Sequence, residues 1–170
     1  MTSTAAATSV SLEITVDVPA ETAFRLFTEQ FDQVKPREYN LLSAPIEQTV
    51  FESQVGGHIY DRATDGSICR WARVLAFDPP ERVVFTWDIT PRWQLETDPD
   101  KASEVEVRFI AEGDGRTRVL LEHRHIDRHG EGWQDYATGL AAEDAWPLFL
   151  ARFADLTHGP AVVRGGASRA

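Results

Sequence analysis

Apolar and polar residues alternate from Ser11 to Val18, with Leu12, Ile14, Val16 and Val18 on one face and Ser11, Glu13, Thr15 and Asp17 on the other. A period of two is that of a strand with one wetted face. Pro19 ends the strand and opens a helix, along which Ala23, Phe24, Phe27 and Phe31 form an apolar stripe. Residues 35–40 are polar and broken by Pro36, after which strand character returns at residues 46–51. Gly56-Gly57 opens a further run through Ile59 and Tyr60, and Asp65-Gly66 turns it into residues 68–77. Pro79-Pro80 closes that run. In residues 82–89, Val83, Phe85, Trp87 and Ile89 share one face and Val84, Thr86 and Asp88 the other. A polar loop follows at 91–101, carrying the unusually apolar Trp93 and Leu95. Val105, Val107 and Phe109 begin another strand, and Gly113-Asp114-Gly115 returns the chain into 117–125, where Val119, Leu121, His123 and His125 share a face.

From Trp133 the period changes. Tyr136, Ala137, Leu140, Ala141, Ala145, Leu148, Phe149, Phe153 and Leu156 trace a long helix, with Pro147 predicted to kink it near 143–147 and Gly139 a second soft point. Strand, helix, about six antiparallel strands and a terminal helix make an α+β domain with its helices on one face of the sheet. One domain spans residues 10–158. The small, polar stretches 1–9 and 159–170 read as flexible tails.

Composition narrows the function. The chain has 170 residues and is 42% hydrophobic, enough for one core and too little for two domains. A net charge of −10 opposes a nucleic-acid backbone or an anionic membrane. Cys69 is the single cysteine, which excludes a disulfide framework or a thiolate metal cluster and suits a reducing cytoplasm. No secretory signal and no apolar run of membrane-spanning length is visible, so a cytoplasmic location is expected.

Several segments resemble the family of activator-of-Hsp90-ATPase homologue 1-like proteins, within the START/Bet v 1-like helix-grip superfamily. They are Ile14-Thr15-Val16-Asp17-Val18-Pro19-Ala20 leading into Ala23-Phe24, Gly56-Gly57-His58-Ile59-Tyr60, and Asp65-Gly66-Ser67. Further matches are Arg73-Val74 with Asp78-Pro79-Pro80-Glu81-Arg82, Phe85-Thr86-Trp87, and His129-Gly130-Glu131-Gly132-Trp133 before the last helix. The resemblance implies a helix-grip fold, a curved antiparallel sheet wrapped around a long C-terminal helix, with a cavity between them. Relatives in that superfamily carry lipids and hormones or act as polyketide cyclases and aromatases. The co-chaperone that names the family has a further N-terminal domain, so Hsp90 is a partner by inheritance of name.

The motifs carry little chemistry of their own. Gly56-Gly57 lacks the downstream residues of a phosphate loop, no Gly-x-Ser-x-Gly elbow is present, and no metal set or catalytic residue is assigned. No cofactor is expected. Cys69 reads as packing, and Glu104 and Glu106 as solvent-facing. Asp61, Arg70 and Arg73 lie in the central hairpin, where an inward Asp61–Arg pair would mark a polar recognition site. The expected function is binding of a small, largely apolar molecule in the sheet–helix cavity. Its walls would come from Trp71, Phe85, Trp87, Phe109, Trp133 and Tyr136, with Tyr60, Arg73, His123 and His125 orienting a polar substituent. The alternatives are a cyclase- or aromatase-like enzyme using the same cavity, and a protein-interaction module, Hsp90-associated or otherwise. Exposed Trp93 and Leu95 would suit a homodimer contact.

Overall fold

The computed structural model describes residues 7–158. Seven antiparallel strands form one sheet in the order β1-β7-β6-β5-β4-β3-β2, with β1 Val10–Val16, β2 Ile46–Phe51, β3 His58–Ala63, β4 Ile68–Asp78, β5 Arg82–Trp87, β6 Ser103–Ala111 and β7 Thr117–Arg124. The sheet curls into a half-barrel around helices α1 Ala20–Glu29, α2 Phe31–Val34, α3 Trp133–Leu140 and α4 Trp146–His158. This is the expected α+β helix-grip fold. Of the expected tails, 1–6 and 159–170 lie outside the described residues.

Register explains which side chains face the helices. Along β7 buried and half-buried residues alternate, so Val119, Leu121 and His123 point inward while Arg118, Leu120 and Glu122 point outward. On β5, Phe85 and Trp87 point inward. Register shifts within the β3–β4 and β4–β5 pairings deepen the curl. Much of the concave face is filled by aromatic rings in edge-to-face contact. Phe27 meets Phe31, Phe109 and Phe153 at 5.4, 5.8 and 5.4 Å, and Phe31 meets Phe51 and Phe85 at 5.7 and 6.5 Å.

The single kinked terminal helix resolves into two helices. The chain breaks at residues 141–145, and Pro147 is the second residue of α4, where a helix needs no amide donor. Pro147 therefore starts a helix and does not kink one. The corner between α3 and α4 leaves one end of the half-barrel uncovered.

Asp61 is turned inward, as the polar-recognition alternative required, but its partner is not an arginine. Lys35 Nζ lies 3.2 Å from Asp61 Oδ2, with the two residues 2% and 1% exposed, and Thr49 donates to Asp61 Oδ1 at 2.7 Å. Lys35 also donates to the carbonyl of Tyr39 and lies 5.8 Å from the Trp71 ring centre. Burial pushes its ammonium below the ordinary lysine range, against the pull of Asp61. On the convex face Glu106 is buried too, between Arg82 and Arg124 at 2.7 and 2.8 Å. Its strand face is as expected, but the guanidiniums close over it.

Candidate functional site

A pocket of about 850 Å³ opens at the uncovered end of the half-barrel. Three segments bound it: the α3–α4 corner, the connection from β5 to β6, and residues 38–40 after α2. Six aromatic side chains line it: Tyr39, Trp87, Trp93, Tyr136, Trp146 and Phe149. Its floor is Trp87 at the end of β5, whose indole N–H donates to the Tyr136 hydroxyl at 2.7 Å; that hydroxyl donates in turn to the Ile89 carbonyl at 2.7 Å. Burial raises the Tyr136 phenol above its ordinary range, opposed by the Trp87 bond, so it stays protonated at neutral pH. On one side wall Trp146 and Phe149 pack at 4.6 Å between ring centres.

The outer wall is the stack of Tyr39 on Trp93, with ring centres 5.4 Å apart and planes 2° from parallel. Trp93 is 44% exposed and has φ 58°, a left-handed conformation that favours glycine. A tight loop imposes it: Thr90 accepts from the amides of Arg92 and Gln94 through its hydroxyl and from Trp93 through its carbonyl. A tryptophan held there at a cost of about 1–2 kcal/mol is a wall whose strain its ring contacts offset.

Behind Trp146 runs a buried hydrogen-bonded chain. Trp146 Nε1 donates to His123 Nδ1 at 3.0 Å, and Ser103 Oγ lies 2.7 Å from both His123 Nε2 and His129 Nε2. An indole nitrogen only donates, so the neutral His123 carries its proton on Nε2 and gives it to Ser103. The Ser103 hydroxyl then donates to His129 Nε2, which puts the His129 proton on Nδ1. That Nδ1–H is buried and has no partner among the described residues. Complete burial, helped by His129, lowers His123 to about 3. Burial lowers His129 as well, against the pull of Glu96 and Asp88. Both imidazoles are therefore neutral near pH 7, and they fix the plane of the Trp146 indole.

Of the residues read from sequence, Trp87 and Tyr136 line the pocket. Trp71, Phe85 and Phe109 belong to the packed core, and His123 sits one layer behind the wall. Trp133, half-buried at the first position of α3, packs against that core. Three residues sit apart from this interior. Tyr60 lies beneath the guanidinium of Arg70 at 5.8 Å, its strand neighbours Ile59 and Asp61 being the inward residues. Arg73 pairs with Asp88 at 3.2 Å on the face opposite Trp87, and its backbone amide donates to the Thr86 hydroxyl. His125 is exposed, because β7 ends at Arg124 and the chain turns left-handed at φ 61°, which breaks the alternation with His123. Tyr39, Trp93, Trp146 and Phe149 were not assigned to the site from sequence. The left-over apolar Trp93 in a polar loop was the available signal for one of them.

Residues 17–157 match the family described as Activator of Hsp90 ATPase homolog 1-like protein. The anthrahydroquino-gamma-pyrone synthase Txn09, in a structure complexed with SUM, is 36% identical over 87% of this chain and 96% of its own, with a TM-score of 0.61. CalC, a self-sacrificing resistance protein from Micromonospora echinospora, is 27% identical over 95% of this chain and 97% of its own, with a TM-score of 0.63. Protein MLL2253 from Mesorhizobium loti, 19% identical over 87% and 95% with a TM-score of 0.57, shares the fold. No curated protein matches the chain. No helix among the described residues is long and apolar enough to cross a membrane.

Proposed function

The chain belongs to the Activator of Hsp90 ATPase homolog 1-like family, and on that premise we propose that it binds a flat, polycyclic aromatic molecule in the pocket between the α3–α4 corner and the β5–β6 connection. The observation that carries this reading is the aromatic lining of that pocket over a polar Trp87–Tyr136–Ile89 floor. Six aromatic walls favour a ring system over a flexible chain, because stacking adds to the burial of apolar area. A volume of about 850 Å³ suits a drug-sized ligand. The 36% identity to a synthase of an anthrahydroquino-gamma-pyrone supports the same ligand class.

Gly139 provides the test. It lines the pocket, and a Cβ built on it meets nothing within 4 Å. Gly139→Leu is expected to fill the space and raise helix propensity, so that stability holds or rises by about 0.5–1 kcal/mol. Titration of a tricyclic anthraquinone, followed by tryptophan fluorescence, should saturate in the unaltered protein and weaken at least about tenfold in the variant. Equal affinity in both would remove the pocket from the account. Trp93→Gly should leave stability within about 1 kcal/mol, since relief of the left-handed backbone offsets the lost stack. The same titration should show weaker binding, because the outer wall is gone.

The resemblance to a synthase favours a second reading, in which the bound molecule is also transformed. A proton would then move through groups at the pocket, since His123 reaches Ser103 and Trp146 but neither Tyr60 nor Asp61. Tyr136, its one proton given to Ile89, would accept a hydrogen bond from a substrate hydroxyl and not act as base. Asp135 lines the pocket and is a carboxylate available there to move a proton; a turnover assay on a ring-closing precursor, with Asp135→Asn as comparison, separates binding from reaction.

A further inference from the structure

The mouth of the pocket carries Glu38, Glu131, Asp135 and Asp144 against one guanidinium, Arg92. None of the five takes part in an ion pair among the described residues. On the convex face, by contrast, Glu106 pairs with three arginines. Four carboxylates against a single arginine leave a local excess of negative charge around the pocket. Opposing it, α3 and α4 both begin at the pocket, and a helix N-terminus counts for roughly half a positive charge. Two such ends offset about one carboxylate, and Arg92 offsets another, which leaves the mouth clearly negative. Inside the mouth, aromatic faces present negative π-density, the environment that attracts a cation.

Resting on the proposed function, we infer that the ligand is cationic: a polycyclic aromatic bearing an amine, its rings among Trp87, Trp146 and Phe149 and its ammonium at the carboxylate mouth. The site is the aromatic pocket, and the carboxylates choose among the flat molecules that fit it. A carboxylated or sulfonated ring system of the same size would meet repulsion at entry. A neutral one would bind through the rings alone.

Two probes of nearly equal size separate the terms: 9-aminoacridine, a cation at pH 7.5, and acridine, neutral there. Calorimetric titration should give the cation an affinity about tenfold higher at low salt. The ratio should fall towards unity in about 0.5 M NaCl, where charges are screened within a few ångströms. It should also collapse in a Glu131→Gln/Asp135→Asn variant. Equal affinity at low salt, or a preference that survives salt or the double substitution, overturns the charge inference. If both probes are displaced by the Gly139→Leu change in that case, the pocket reading stands without it. Failure of both probes to saturate the unaltered protein overturns both readings, and saturation by acridine alone overturns the charge inference.

Discussion

Asp61→Asn is expected to destabilise the fold by about 3 kcal/mol or more, among the largest effects of any single polar substitution in this chain. The cost is not the worth of the ion pair but the penalty of leaving Lys35, 2% exposed, without a counter-charge. Removing both partners should cost far less, so Lys35→Met/Asp61→Leu is predicted to recover most of the loss. The coupling has a functional reach. Lys35 donates to the Tyr39 carbonyl, and Tyr39 carries the outer wall of the pocket with Trp93. Asp61→Asn should therefore also weaken ligand binding at temperatures where the variant is still folded. Urea denaturation of the three proteins checks the account. An Asp61→Asn variant within about 1 kcal/mol of the unaltered chain, or a double variant that costs as much as Asp61→Asn, contradicts it.

Acid should begin to destabilise this protein at a pH where its carboxylates are still ionised. His123 holds a folded value near 3 against an ordinary 6.5, and His129 is shifted in the same direction. The folded state thus binds fewer protons than the unfolded one across that window. Stability is full above about pH 6.5 and is lost as pH falls, at roughly 1 kcal/mol or more per pH unit from His123 alone. Between pH 6.5 and pH 5 the expected loss is about 2 kcal/mol. His123→Gln should be less stable at pH 7, having lost the fit to Ser103 and Trp146, and should show a visibly flatter slope over this range. Denaturation midpoints at several pH values provide the comparison. Parallel slopes would mean that His123 is not the group responsible.

The two predictions mark the boundary of what sequence carries. Strand faces were legible because alternation is local: Val119, Leu121 and His123 point inward as the period requires. Trp87 could be placed towards the interior for the same reason, and Tyr136 by the helical period of its apolar stripe. His125 escaped because alternation ends where a backbone turns left-handed, and nothing in its residue type announces that turn. Lys35 and Tyr39 escaped because their segment has no period, and their roles depend on Asp61 and Trp93, far away in sequence. The pocket's position was hidden in Pro147. A proline can kink a helix or start one, and only the packing of α4 against α2 and β1 decides which. Because it starts one, the space lies at a corner and not along the whole sheet. Trp71, Phe85 and Phe109 are accordingly core and not cavity wall.

The most direct test is a crystal structure of the protein grown with a saturating tricyclic aromatic probe. The account predicts the ring system among Trp87, Trp146 and Phe149, closed from outside by the Trp93–Tyr39 stack. A pocket filled by its own side chains, with the probe elsewhere on the surface, would contradict it.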